Sequence, residues 1–306
     1  MPEVKVLLNC SKHETKGDAE FASANFEKFF GNETGILLIE PPLHMYRNFR
    51  ANDIPTKNFF QNPELLEKIA SINDRPKGDP FLANFYRYLA SKVRGGFRIH
   101  NLETPDGGEL KKITEGFDKS MELGVLSRKL YESGKAEEAL DKYVESVDKL
   151  VEHRELRRKN REQNMRDLLA IARKRGDKVG IWQGAAHVHE STELLTHLSG
   201  RFPEIKFSLS AFPFYFSPTT IIAIERFRRK DFVPSREYYA KAFLQNFIYS
   251  YLYNSFGDKL SARVTKKLTG KLGYSDFSDF SARLGSGKKL QVHYDSKSGK
   301  AELVFT

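Results

Sequence analysis

Four polar residues stand just past four short aliphatic runs. His13 follows VKVLLN, within Cys10-Ser11-Lys12-His13-Glu14, and Glu40 closes GILLIE (Gly35–Glu40). Glu103 follows FRIHNL (Phe97–Leu102), and His187 follows KVGIW (Lys178–Trp182) within GAAHVHE. Two imidazoles and two carboxylates in one cleft are a donor set for a divalent metal and equally a set for acid–base work. Each alone has a plainer account. A histidine after a strand is often a hydrogen-bonded loop residue, and a glutamate there can sit at a helix N-terminus. The force of the pattern is that four such residues occupy four corresponding places.

A fifth contribution comes from a long basic stretch. Arg157, Arg161, Asn164 and Leu168 fall on one helical stripe, beside Met165, Leu169 and Ala172. Arg161 and Asn164 are therefore expected on or near the inward face. A buried arginine needs a carboxylate or an anionic ligand, so a structural Arg–Glu pair and a substrate clamp are both open. Other motifs lead nowhere. His189-Glu190-Ser191-Thr192-Glu193 lacks the second histidine of a zinc-protease helix, and Gly285-Ser286-Gly287-Lys288-Lys289 lacks the spacing of a phosphate loop. Ser11 lies near His13, but the chain has no Gly-x-Ser-x-Gly elbow. Cys10 is read as a small strand-end residue in preference to a nucleophile.

The elements that must position these residues follow from local pattern. VKVLLN and GILLIE read as buried strands, with a helix from Gly17 to Phe30 between them whose Phe21, Ala24, Phe26 and Phe29 face inward. Strand, helix, strand over so short a span predicts two parallel strands. Residues 42–94 read as a helical insertion, and Phe97–Leu102 as a third strand. A helical region runs from about Gly108 to Arg175, with breaks expected near Gly124 and Ser133-Gly134. Lys178–Trp182 reads as a fourth strand leading into a helix, Ile205–Leu209 as a fifth and Thr219–Glu225 as a sixth. Tyr238–Phe256 reads as an aromatic helix, and Leu290–Tyr294 with Ala301–Phe305 as a terminal hairpin. The expected fold is α/β: a mainly parallel central sheet flanked by helices, with a helical insertion and a C-terminal helix-plus-hairpin extension. Residues 1–210 would form the core, and 211–306 an extension packed on it. In such sheets ligands bind beyond the C-terminal strand ends, where the four polar residues stand.

Five segments together resemble the TraB/Tiki superfamily, which includes the GumN-like proteins and is more distantly similar to the erythromycin esterases and ChaN-like proteins. They are CSKH (10–13), ILLIE (36–40), NLETPDGGEL (101–110), REQNM (161–165) and VGIWQGAAHV (179–188), in the family's order. The resemblance implies an α/β fold with its site at the strand ends and, for Tiki-type members, a divalent-metal-dependent peptidase. By position, His13 and His187 match the paired motif histidines, Glu40 the motif glutamate and Arg161 the motif arginine. Glu103 falls in the family's Leu-Glu-Thr stretch. Two departures stand out: Cys10 occupies the place of a glycine, and His189 offers a competing ligand beside His187.

Bulk composition narrows the class. The chain has 306 residues, 40% hydrophobic and 29% charged, with 24 Phe and 13 Tyr, so a folded aromatic core is expected. One cysteine cannot form an internal disulfide, and the N-terminus lacks a basic leader followed by an apolar stretch, so a cytoplasmic location is expected. No apolar stretch approaches the roughly eighteen residues of a membrane span. The net charge of +10 is concentrated in Arg154–Arg175, read as a solvated helix face. No zinc-finger spacing, RNA-binding strand or basic zipper supports a nucleic-acid partner. The expected function is a divalent-metal (manganese, cobalt or zinc) hydrolase of a peptide or small acyl substrate. His13, Glu40 and His187 would hold the metal, Glu14 or Glu103 would take the proton, and Arg161 with Asn164 would face the substrate. Two rivals remain: a metal-free esterase-like enzyme with His13 as base, and a non-catalytic protein binding a ligand or partner.

Overall fold

The computed structural model describes residues 2–11, 16–40, 56–76, 78–103, 107–184, 187–211, 217–229, 231–295, 298 and 300–306. The chain divides into two compact units, residues 1–114 with 156–214 and residues 115–155 with 215–306. The boundaries fall at three places along the chain.

The first unit is built on a five-stranded sheet of β1 (Val4–Ser11), β2 (Gly35–Ile39), β3 (Arg98–Asn101), β4 (Lys178–Gly184) and β5 (Ile205–Ala211). The order is β3-β2-β4-β1-β5 and every pairing is parallel. The expected parallel relation of β1 and β2 holds, but they are not neighbours. β4 lies between them, with Val179 beside both Val6 and Ile36. A fully covered parallel sheet needs continuous apolar strands, and the GILLI run of β2 is buried throughout.

Side chains alternate between two faces along each strand. Leu7, Leu37, Ile39 and Trp182 face α1 (Lys16–Phe30), α2 (Pro63–Asn73) and α3 (Pro80–Arg94). Val6, Leu8, Ile36, Leu38 and Ile181 face Met165, Leu169 and Ala172 of α5 (Ala136–Arg175) and Leu194, Leu195 and Leu198 of α6 (Val188–Arg201). In α1 the buried stripe is Ala19, Ala22, Phe26 and Phe30, whereas Ala24, expected inward, is exposed. Phe26 sets that register. Its ring lies against Gly180 of β4, where an added Cβ would approach Phe26 Cε1 and Leu37 Cδ2 to 2.7 Å. Helices of the insertion start where the sequence can cap them. The Asn62 side chain accepts from Leu65 N before Pro63, and that of Asp79 accepts from Phe81 N and Leu82 N before Pro80.

The second unit has its own aromatic core, centred on Tyr131, Tyr143, Phe243, Phe247 and Phe277. It holds α7 (Pro218–Arg228), α8 (Arg236–Thr269), α9 (Tyr274–Gly285) and an antiparallel hairpin of β6 (Leu290–Tyr294) and β7 (Ala301–Phe305). The hairpin falls where alternation predicts it. The expected sixth strand, Thr219–Glu225, is instead the body of α7. Ser217 caps it by accepting from Thr220 N, Pro218 opens it, and a short apolar run is compatible with either element. α4 (Gly107–Glu132) runs unbroken through Gly124. The break before α5 comes at Gly134, whose φ of +85° is the left-handed turn that glycine tolerates. Among the described residues, no helix is long and apolar enough to cross a membrane.

Candidate active site

The C-terminal edge of the sheet carries the candidate residues. Glu40 N donates to Trp182 O at 2.8 Å and Leu102 N donates to Ile39 O at 2.7 Å, so the ladder continues one step past β2 on both sides. That step sets Glu40 beside the end of β4 and Glu103 just beyond. His187 follows β4 at the start of α6, as the residue preceding its first turn. His13 and Glu14 lie outside the described residues.

Two arginines one turn apart on α5 join these side chains. Arg157 Nε donates to Glu103 Oε2 at 2.8 Å, and its Nη2 donates to Glu40 Oε1. Arg161 Nε and Nη2 donate to Glu103 Oε1 at 3.2 and 3.0 Å. Its Nη1 donates to Glu190 Oε2 at 2.7 Å. All five residues are buried, Glu103 completely. Part of the basic stretch is therefore not a solvated face: Arg157 and Arg161 sit inside, on the stripe their spacing predicts. Arg161 takes the geometry of the structural pair, with Nε and both terminal nitrogens directed at carboxylates. Asn164, one turn further, donates to Leu102 O at 3.2 Å and so steadies the turn that presents Glu103.

His187 lies between two carboxylates. Its Nδ1 is 3.3 Å from Glu190 Oε2 and its Nε2 is 3.4 Å from Glu40 Oε1. Glu40 is held on its other oxygen by the backbone N–H of Gly184. A Cβ at Gly184 would stand 3.2 Å from that oxygen, so a glycine lets the strand end approach the carboxylate. His189 is exposed, which removes it from the cluster and leaves His187 as the inward imidazole.

Burial and charge act on these groups in opposite directions. Burial lowers the His187 pKa below its ordinary value and Arg161 lowers it further, while Glu40 and Glu190 pull it back. Burial pushes the Glu103 carboxyl up, but Arg157 and Arg161 outweigh it and hold the group below the usual carboxylate range. For Arg161 burial is likewise outweighed, by Glu103, Glu190 and Glu40, and its pKa is raised. A neutral imidazole has one N–H and so can donate to only one of its two carboxylates. The Glu40–His187–Glu190 row is satisfied by an imidazolium between two carboxylates, or by a neutral imidazole beside one carboxylic acid. Either way a proton can be taken up or released at His187.

Beneath this row lies a neutral one. Ser191 Oγ donates to Gln183 Oε1 at 2.6 Å, and Gln183 Nε2 contacts Cys10 Sγ at 3.7 Å. Burial pushes the Cys10 thiol up to about 12, which suits a packed strand-end residue and not a thiolate nucleophile.

The resemblance implies a metal on His13, Glu40 and His187. Of that set the structure describes Glu40 and His187, whose Oε1 and Nε2 stand 3.4 Å apart. Glu40 Oε1 faces the guanidinium of Arg157, and both imidazole nitrogens face carboxylates. Among the described residues, no group of three or more His, Cys, Asp or Glu is arranged to hold a metal ion. Two residues that complete the cluster were not among the sequence candidates. Arg157 lay on the predicted stripe, and Glu190 stands three residues after His187, the spacing that puts two helical side chains together. Comparison with known proteins places no relative beside the chain: no family model, no curated protein and no solved structure matches it.

Proposed function

We propose that the first unit is an acyl hydrolase, acting on a peptide or ester bond, in which His187 moves the proton without a metal. The observation that carries this reading is the buried imidazole flanked by Glu40 and Glu190 at the C-terminal edge of a parallel sheet. A buried charged cluster of this kind is a poor device for stability, because desolvating each ion costs several kcal/mol. It is a good device for holding an acid–base group in one orientation. In the proposed reaction, an attacking water takes the place of Glu40 at Nε2 of neutral His187, which accepts its proton as the water oxygen bonds to the acyl carbon. The imidazolium is steadied by the adjoining carboxylates and returns the proton to the leaving group as the acyl bond breaks. Glu190 fixes the ring through Nδ1, and Glu40 borders the place of the water beside Nε2. Arg157, Arg161 and Glu103 act as positioning residues that hold those two carboxylates in place. The reading follows the erythromycin-esterase side of the resemblance.

The test is a panel of activated esters and short peptides, assayed after exhaustive chelation with wild type and His187→Ala. Turnover that survives chelation and falls about 10²–10⁴-fold in His187→Ala supports the proposal. Equal rates in both proteins would sink it. Loss of turnover on chelation, restored by manganese, cobalt or zinc, would replace it with the metal-dependent form, in which His13 joins Glu40 and His187 as ligand.

A further inference from the structure

The second unit carries a half-open pocket of about 470 Å³. That lies within the range of small-molecule pockets, about 300–1,000 Å³. Its walls are apolar, with Val125, Leu150, Phe243 and Phe247 prominent. The space exists because small residues stand among large ones, at Gly124 on α4, Ser146 on α5 and Ser250 on α8. Packing does not demand the glycine. α4 and α5 are already clasped at Ser120 and Ser146, each hydroxyl donating to the other's carbonyl at 2.9 and 2.8 Å. A Cβ at Gly124 would meet only Ser146 Oγ, at an ordinary 3.6 Å. Met121 and Val125 are more than half exposed, at 55% and 52%.

Among the polar lining residues three form a connected group, while Ser217 and Thr220 pair with each other at 2.9 Å. Asn246 Nδ2 donates to Tyr143 Oη at 3.1 Å and to Thr219 Oγ1, and the two hydroxyl oxygens are 2.8 Å apart. Both amide hydrogens are used. One hydroxyl donates to the other. That leaves one hydroxyl hydrogen and Asn246 Oδ1, which takes no hydrogen bond from the described residues. The group therefore offers one donor and one acceptor side by side. A single hydroxyl on a ligand answers both, accepting from one and donating to the other. The nearest cation, Arg128, is already engaged by Glu132 Oε1 at 2.9 Å and Ser250 Oγ at 3.1 Å, so the pocket does not call for an anion. Phe243 and Phe247, stacked on each other one helical turn apart, give the pocket an aromatic wall that suits an aromatic body.

We propose that this pocket binds an uncharged aromatic molecule carrying one hydroxyl group, with the hydroxyl set on Asn246, Tyr143 and Thr219. The site lies wholly in the second unit and is independent of the hydrolase proposal, since binding is measured without turnover. The experiment is calorimetric titration of the full chain with 2-naphthol, 2-methoxynaphthalene and 2-naphthoate. Binding of 2-naphthol about tenfold or more tighter than the methyl ether is expected, the size of one buried hydrogen bond left unmade. Asn246→Leu should erase that difference. Gly124→Leu, which fills the pocket, should abolish naphthol binding while the circular dichroism spectrum stays unchanged. The wild-type ligand series stands without either variant. Equal binding of naphthol and its ether would overturn the proposal, as would tightest binding of naphthoate. No binding up to the solubility limit, or naphthol binding unaltered in folded Gly124→Leu, would also overturn it.

Discussion

Arg161 ties Glu103, just past β3, to Glu190 on α6, and so joins two elements that share no strand pairing. Replacing it with methionine keeps the volume but leaves two buried carboxylates facing an apolar chain. Removing one member of a buried pair costs about 3–5 kcal/mol. Arg87, paired to Asp74 on the surface with both side chains about half exposed, offers a control worth about 0–1 kcal/mol. Urea denaturation of Arg161→Met and Arg87→Met should show that contrast, and equal losses would mean that the cluster is better solvated than its burial indicates. Part of the site was legible in sequence. Glu40, Glu103 and His187 each follow an aliphatic run, and period alone puts Arg161 inward. Glu190 was not singled out because its role comes from an arginine 29 residues away in sequence. Its one local sign, the spacing from His187, is common on any helix.

Among the elements, β4 is the keystone. It pairs with both β1 and β2, and Trp182 on it is ringed by Phe26, Phe81, Phe85 and Tyr88 at centroid separations of 4.6–6.4 Å. Gly180→Val should destabilise the chain by about 1–3 kcal/mol, because the branched side chain meets Phe26 and Leu37 before either can move. Thermal unfolding measures this, and an unchanged midpoint would show that the α1 interface is softer than its packing. The strands themselves were readable from short β-branched runs, and the terminal hairpin from alternation around a Ser-Gly turn. Their order was not. Which strand lies beside β1 depends on a segment more than 160 residues later, and no local pattern records that pairing. The misread of Thr219–Glu225 is of another kind. Ser217-Pro218 is a helix-start signal, and the aliphatic run behind it was given more weight than the cap.

For the whole molecule, the buried ionisable groups set how stability changes with pH. The folded pKa of Glu103 is depressed, so its contribution is present above the unfolded value of about 4.3 and is lost as pH falls through the lower folded value. The folded pKa of His187 is also depressed. Well above about 6.5 the imidazole is neutral in both states; below it the unfolded chain takes a proton that the folded chain holds less readily. In both cases the unfolded state binds more protons, so stability rises with pH and falls on acidification. Melting temperature should decline from pH 7 to pH 4, and His187→Gln should flatten the upper part of that decline. A flat profile in wild type would contradict the lowered pKa of His187. The strand order has one more consequence, in the timing of synthesis. β1 finds its neighbours only in β4 and β5, both beyond residue 177, whereas β2 can pair early with β3. A nascent chain shorter than that carries an aliphatic strand, VKVLLNCS, with no edge to join. That strand must wait for its first neighbour until synthesis has passed Lys178, where β4 begins.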